Sequence, residues 1–201
     1  MTTLAGVIAL VALGTVIASL GYLHLAPTGL SPVRNAVSQY GITPFRAGYR
    51  VATIAFALAA LALALGLHRA LRGNGHLRLV IALLIVLAIA RALISWFPMD
   101  APGTPRTTTG GRHGLLAIAA FGAATIAAFR LGSALSHGMH WRSLAAVSTA
   151  LGWAMLVCLL AMALGRGVPA LRARFGASER AFYLSAIAWF AVFGVACVAG
   201  A

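Results

Sequence analysis

Ser38, Asp100 and His113 are the side chains from which nucleophilic chemistry could be assembled. A serine becomes a nucleophile when an imidazole takes its proton, and a carboxylate can fix that imidazole's tautomer. Such a triad is recognised by geometry, not by order in the chain. A second group could do binding chemistry instead. Arg34, Asn35, Arg46, Arg50 and Arg91 would form a pocket for phosphate or carboxylate if they converged, because guanidinium groups pair with both anions bidentately. These two groups hold the candidate catalytic residues and the candidate substrate-binding residues.

The carboxylate is informative because acids are scarce. The 201 residues contain only two, Asp100 and Glu179, against fifteen arginines and no lysine, for a formal charge of +13. Glu179 lies among Arg172, Arg174 and Arg180 and reads as a surface ion pair of little worth. Asp100 follows Phe97-Pro98, which must end a helix because the residue before proline avoids the helical region. A carboxylate just past a helix C-terminus is disfavoured by the helix dipole, so Asp100 needs a partner.

The elements that must position these residues are membrane spans. The chain is 62% hydrophobic and only 8% charged, with mean hydropathy +0.97. Soluble domains are about 25% charged, so lipid is the solvent. Six apolar runs, near 4–25, 46–67, 78–97, 114–131, 143–164 and 181–200, are each long enough to cross a bilayer. The expectation is an all-α, single-domain bundle of six transmembrane helices in a cell membrane, and the all-arginine, alanine-rich composition suggests a bacterial inner or plasma membrane. The N-terminal run lacks a basic leader and exceeds a signal core, so it reads as a retained first helix.

The five connections are unequal. All seven prolines fall in the first, third and fifth, while the second and fourth are plain basic turns. Nine arginines (34, 46, 50, 106, 112, 166, 172, 174 and 180) lie on the odd-numbered side, and five (69, 72, 78, 130 and 142) on the even side. The positive-inside rule puts the odd loops in the cytoplasm, unless those arginines serve a site, so orientation stays open. The arginines flank spans and suit lipid phosphates. No loop forms a basic domain, which argues against nucleic acid. Membrane lipids are the expected partners; homo-oligomerisation is undetermined.

The first loop holds "GLSPVRNAVSQYG". Ser31-Pro32 suits a helix start and Gly41 a stop. A short interfacial helix of two turns between them puts Arg34, Asn35 and Ser38 on one face, with Ala36, Val37 and Tyr40 against the bundle. His113 opens span four at the same depth. Arg46 and Arg50 begin span two. Arg91 lies inside span three and reads as snorkelling to the interface, with a buried pairing as the alternative. His24 ends span one on the odd side and could join this cluster. The pair His137 and His140 has no carboxylate or cysteine to complete a metal set, and Cys158 and Cys197 read as small core residues. No metal or other cofactor is expected.

The ordered elements "RNAVSQYG", "FPMD" and "RHG" resemble those of the domain-of-unknown-function 998 family of bacterial and archaeal membrane proteins. The resemblance implies six spans, with an N-x-[IV]-S-x-x-G element at Asn35, Val37, Ser38 and Gly41, an F-P-x-D element at Phe97, Pro98 and Asp100, and His113 opening span four. Tyr40 stands where leucine or a similar residue is expected. A looser likeness is to Frag1/DRAM-type six-span proteins, some of which are associated with lipid-anchor remodelling. Ceramidase-like zinc hydrolases fit poorly, since spans five and six contain no histidine. Three roles follow: binding an anionic lipid or amphiphile headgroup at a polar site formed by loops 1 and 3, a metal-independent hydrolase or transferase using Ser38, His113 and Asp100, or a purely structural membrane protein. Binding and structure rank above catalysis.

Overall fold

A computed structural model describes residues 1–72, 74–137, 141–165 and 167–200. Arg166 and His140, both weighed above, lie outside them. Among the described residues six helices are long and apolar enough to cross a membrane: α1 (Thr2–Leu25), α2 (Arg46–Ala70), α3 (Leu77–Ile94), α4 (Thr108–Ser136), α5 (Arg142–Leu164) and α7 (Phe175–Ala199). The short α6 (Pro169–Arg172) lies in the fifth connection. Each spanning helix packs on its chain neighbour, and α7 closes the ring against both α1 and α5. Helix α2 also meets α7 across the interior, and 67% of its apolar window is buried. It is the central helix.

The α2 stripe of Ala52, Ala55, Ala59, Ala60 and Leu63 is buried because small side chains let helices approach closely where lipid supplies no hydrophobic drive for association. Helices α1 and α7 show the limit of this. A Cβ on Gly6 would stand 2.7 Å from the Gly194 carbonyl oxygen. Large side chains from α7 (Phe182, Trp189, Phe190 and Phe193) fill what remains, each at most 2% exposed. The indole N–H of Trp189 donates to Ser148 Oγ of α5 at 2.8 Å, which satisfies its polar edge inside the bundle.

Two boundaries differ from the sequence expectation. Helix α4 begins at Thr108, not near 114, and α7 at Phe175, not near 181. Apolar runs mark where lipid starts, whereas helices start where their first amides are capped. Thr107 Oγ1 accepts from the Gly110 N–H at 3.0 Å and starts α4 within a polar stretch. At α7 the capping group is the Val33 carbonyl of loop 1, which accepts from the Ala177 N–H at 2.9 Å.

Loop 1 also departs from the two-turn helix expected between Ser31 and Gly41. Residues 32–34 form a turn, and the helical segment is a 3-10 helix at Val37–Ile42. Asn35 explains the shift. Its Oδ1 accepts from the Ser31 N–H at 2.7 Å, closing a local turn that competes with helix. Ala36, Val37 and Tyr40 are buried against the bundle as expected.

Loop 1 lies so close to α7 that Gly176 has no room for a side chain: a Cβ would meet the Asn35 and Pro32 carbonyls. Gly176→Ala should therefore cost about 1–3 kcal/mol, as overpacking does. Gly122→Ala, whose Cβ meets nothing within 4 Å, should be neutral or slightly stabilising. Thermal unfolding of the two variants in detergent checks the difference; equal effects would contradict this docking.

Candidate functional site

The polar residues of the odd-numbered face sort into two groups. The first joins the end of α3 to the start of α4. Asp100 folds away from the α3 terminus onto the α4 N-terminus, where the dipole favours a carboxylate. Its Oδ1 accepts from the Thr107 hydroxyl at 2.6 Å and its Oδ2 from the Thr107 N–H at 3.1 Å. Gly110 leaves space for this, since a Cβ there would collide with the Asp100 carboxylate. The Thr107 hydroxyl and amide hold the Asp100 carboxyl below its usual range, with Arg106 adding to the effect. His113, 6% exposed, directs Nδ1 to the Phe97 carbonyl at 2.7 Å and ties α4 to the end of α3.

The second group binds loop 1 to α7. Glu179 is 3% exposed, so it is buried inside a spanning helix and is not the surface residue expected. Its Oε2 accepts from the Val37 N–H at 2.7 Å. The adjacent Arg180 faces the loop and donates to four groups. These are His24 Nε2 at 2.6 Å, the Asn35 carbonyl at 2.8 Å, the Gly176 carbonyl at 3.0 Å and the Tyr40 hydroxyl at 3.1 Å. His24 Nδ1 lies 2.6 Å from the Leu20 carbonyl. That contact makes Nδ1 the protonated nitrogen and leaves Nε2 to accept from Arg180.

Arg91 belongs to the interior behind this group. It does not snorkel: it is 3% exposed, with Nη1 donating to the Tyr183 hydroxyl at 2.7 Å. Its guanidinium lies 5.2 Å from the Tyr183 ring centroid and 5.3 Å from that of Phe56. Aromatic faces stabilise a desolvated cation by about 2 kcal/mol. Tyr183 is four residues after Glu179 and so shares its helix face. Tyr49 feels the charges of both Arg91 and Glu179. Four ionisable side chains from α2, α3 and α7 thus cluster inside the bundle, where each is costly and points to function by default.

The candidate residues read from the sequence are therefore divided. Ser38 donates to Met99 Sδ at 3.1 Å, His113 takes Phe97, and Asp100 takes Thr107. Each member of the suggested triad has its own partner, and no hydrogen bond joins the three among the described residues. Asn35 spends its side chain on Ser31 and Gln39. Arg34, Arg46 and Arg50 are exposed, Arg50 resting over Trp96 at 5.0 Å. Arg91 stands apart from them in the interior. Tyr183 and Tyr49 were not singled out in the sequence, and Glu179 and Arg180 were read only as part of a surface ion pair. The available signal was the pairing of a lone acid with a tyrosine four residues on, at the head of an aromatic-rich helix.

Because its folded-state pKa is depressed, Asp100 contributes stability that is present above the ordinary carboxylate range and is lost as pH falls through its lower folded value. Loop 3 should accordingly hold at pH 5 and loosen only well below pH 4, about the unperturbed value. At neutral pH, Asp100→Ala should speed tryptic cleavage after Arg106 severalfold in intact protein. An unchanged cleavage rate would contradict the capping role.

No curated protein and no solved structure matches the chain. The protein family described as "Protein of unknown function (DUF998)" matches residues 5–196. In this chain the elements that carried the resemblance have physical work. Val37 N–H binds Glu179, Ser38 meets Met99, and Asp100 holds Thr107, the cap of α4. With the match running over nearly the whole length and six helices fit to cross a membrane, the chain belongs to the DUF998 family of membrane proteins.

Proposed function

We propose that this protein binds an anionic amphiphile, its chain lying between α1 and α7 and its phosphate or carboxylate meeting Arg180. The observation that carries the reading is a groove of about 410 Å³ on the lipid-facing side, walled by Ile17, Leu20, Leu184 and Ile187 and ended by His24 and Arg180. Its inner side is Val37 and Tyr183, the two residues bonded to Glu179 and Arg91. The groove along Val7, Ile8 and Val11 between α1 and α2, by contrast, has no cation in its lining.

Arg180 suits this role because it is already oriented. A guanidinium has five N–H groups, and four of these bonds hold it in place. One N–H of Nη2 is left for a ligand oxygen, and a pre-organised donor loses little entropy on binding. The headgroup-binding role expected for loops 1 and 3 moves in this reading to loop 1 and α7. The exposed Arg34, Arg46 and Arg50 supply a positive field that would enrich anionic headgroups at this face. A purely structural role draws on one specific observation, that Asn35, Ser38, Asp100 and His113 spend their hydrogen bonds within the protein.

Gly21 provides a test that leaves the polar network intact. It lines the groove, and a side chain there would meet nothing within 4 Å. Gly21→Phe should lower the anionic lipid retained per protein through detergent purification by about tenfold, the loss expected for ~1.4 kcal/mol of binding. Gly14→Phe, on the same helix but outside that lining, should leave it unchanged. Equal retention by both variants, read by mass spectrometry of the bound lipid, would favour the structural role.

A further inference from the structure

On the opposite, even-numbered face, the described residues around the end of α2 and the start of α3 border a second concavity of about 430 Å³. His68, Arg72 and Arg78 stand around it, all exposed. Its apolar lining comes from Leu71, Leu77 and Ile81, of which Leu71 and Leu77 are buried. Asn74 fixes the turn, its Nδ2 reaching the Ala134 carbonyl of α4 at 3.4 Å and its Oδ1 accepting from the His76 N–H at 3.0 Å. The cavity thus pairs cationic groups with an apolar lining at the end of two spanning helices.

Charge makes this arrangement unbalanced. The chain has two carboxylates, and both serve the other face, Asp100 at the start of α4 and Glu179 under loop 1. Among the described residues neither Asp100 nor Glu179 therefore pairs with Arg72 or Arg78. Arg78 is moreover the second residue of α3, where the helix already presents positive charge, and His76 makes no side-chain cap there. Two like effects converge on one spot, and an anion would relieve both.

We infer that this cavity is a second anion site, occupied by the phosphate of an anionic phospholipid whose glycerol end rests on Leu77 and Ile81. A lipid is favoured over free phosphate because the lining is apolar and opens at the helix ends, where lipid headgroups lie. Basic pockets between spanning helices bind such headgroups. The site is separate from the α1–α7 groove and does not depend on that reading.

A phosphatidylglycerol analogue with a photoreactive group next to its headgroup, in phosphatidylcholine nanodiscs holding the full chain, tests this directly. Labelling should map to residues 71–81 and fall about thirtyfold in Arg72→Gln/Arg78→Gln, from the loss of two arginine–lipid attractions. Arg130→Gln/Arg142→Gln, which removes two even-face arginines outside the cavity, should leave the labelling intact. Any α1 or α7 labelling should persist in both variants. Three results would each overturn the proposal: equal loss in both double variants, equal labelling by the phosphatidylcholine counterpart, or equal displacement by inorganic phosphate.

Discussion

The carboxylate of Glu179 sits inside a membrane-spanning helix and accepts the Val37 N–H of a loop 142 residues away in sequence. A buried carboxylate costs several kcal/mol unless hydrogen bonds and nearby opposite charge offset it. Here the hydrogen bond is the one from that N–H, and the Arg180 guanidinium belongs to the adjacent residue. Leaving the amide unsatisfied would also be costly, so the pair forms together or not at all. The rest of the odd-numbered face follows from this contact. Val37 fixes the 3-10 helix, Tyr40 is carried beneath Arg180, and the Val33 carbonyl reaches the first turn of α7.

The basic character of the chain then separates into distinct physical roles. Arg180 is a strut with four protein hydrogen bonds and one N–H left for a ligand. Arg91 is a desolvated cation held by Tyr183 and two aromatic faces. Arg50 and Arg112 rest on Trp96 and Phe97 near the interface, at 5.0 and 5.7 Å from the ring centroids. Arg72 and Arg78 have none of these contacts among the described residues and stand around the α2–α3 concavity. With so few carboxylates, most of the positive charge faces outward toward lipid phosphates.

Six spans, the all-helical class and the contrast between odd and even faces were legible because lipid imposes a length and a polarity on every crossing segment. Asp100 stood out in the sequence by scarcity, and His113 by its place at the entrance to span four. Their roles were not legible. Asp100 was read against the helix it follows, whereas it serves the helix that comes next, seven residues on. Glu179 was misjudged because hydropathy placed the start of the last span after it; its burial comes from loop 1 folding over α7, a long-range contact that no local pattern records. Arg91 defeated the expectation of snorkelling because Phe56 and Tyr183, from two other helices, offered its charge a closer partner than water.

Hydrogen exchange at the Val37 amide, followed in detergent micelles for the unsubstituted chain and for Glu179→Leu, reads the central contact without reference to any ligand. The account predicts that Val37 exchanges as slowly as the amides in the middle of α7, and that in the variant it exchanges as fast as exposed Arg34. A Val37 amide that exchanges rapidly in the unsubstituted chain, or stays protected once the carboxylate is gone, would contradict it.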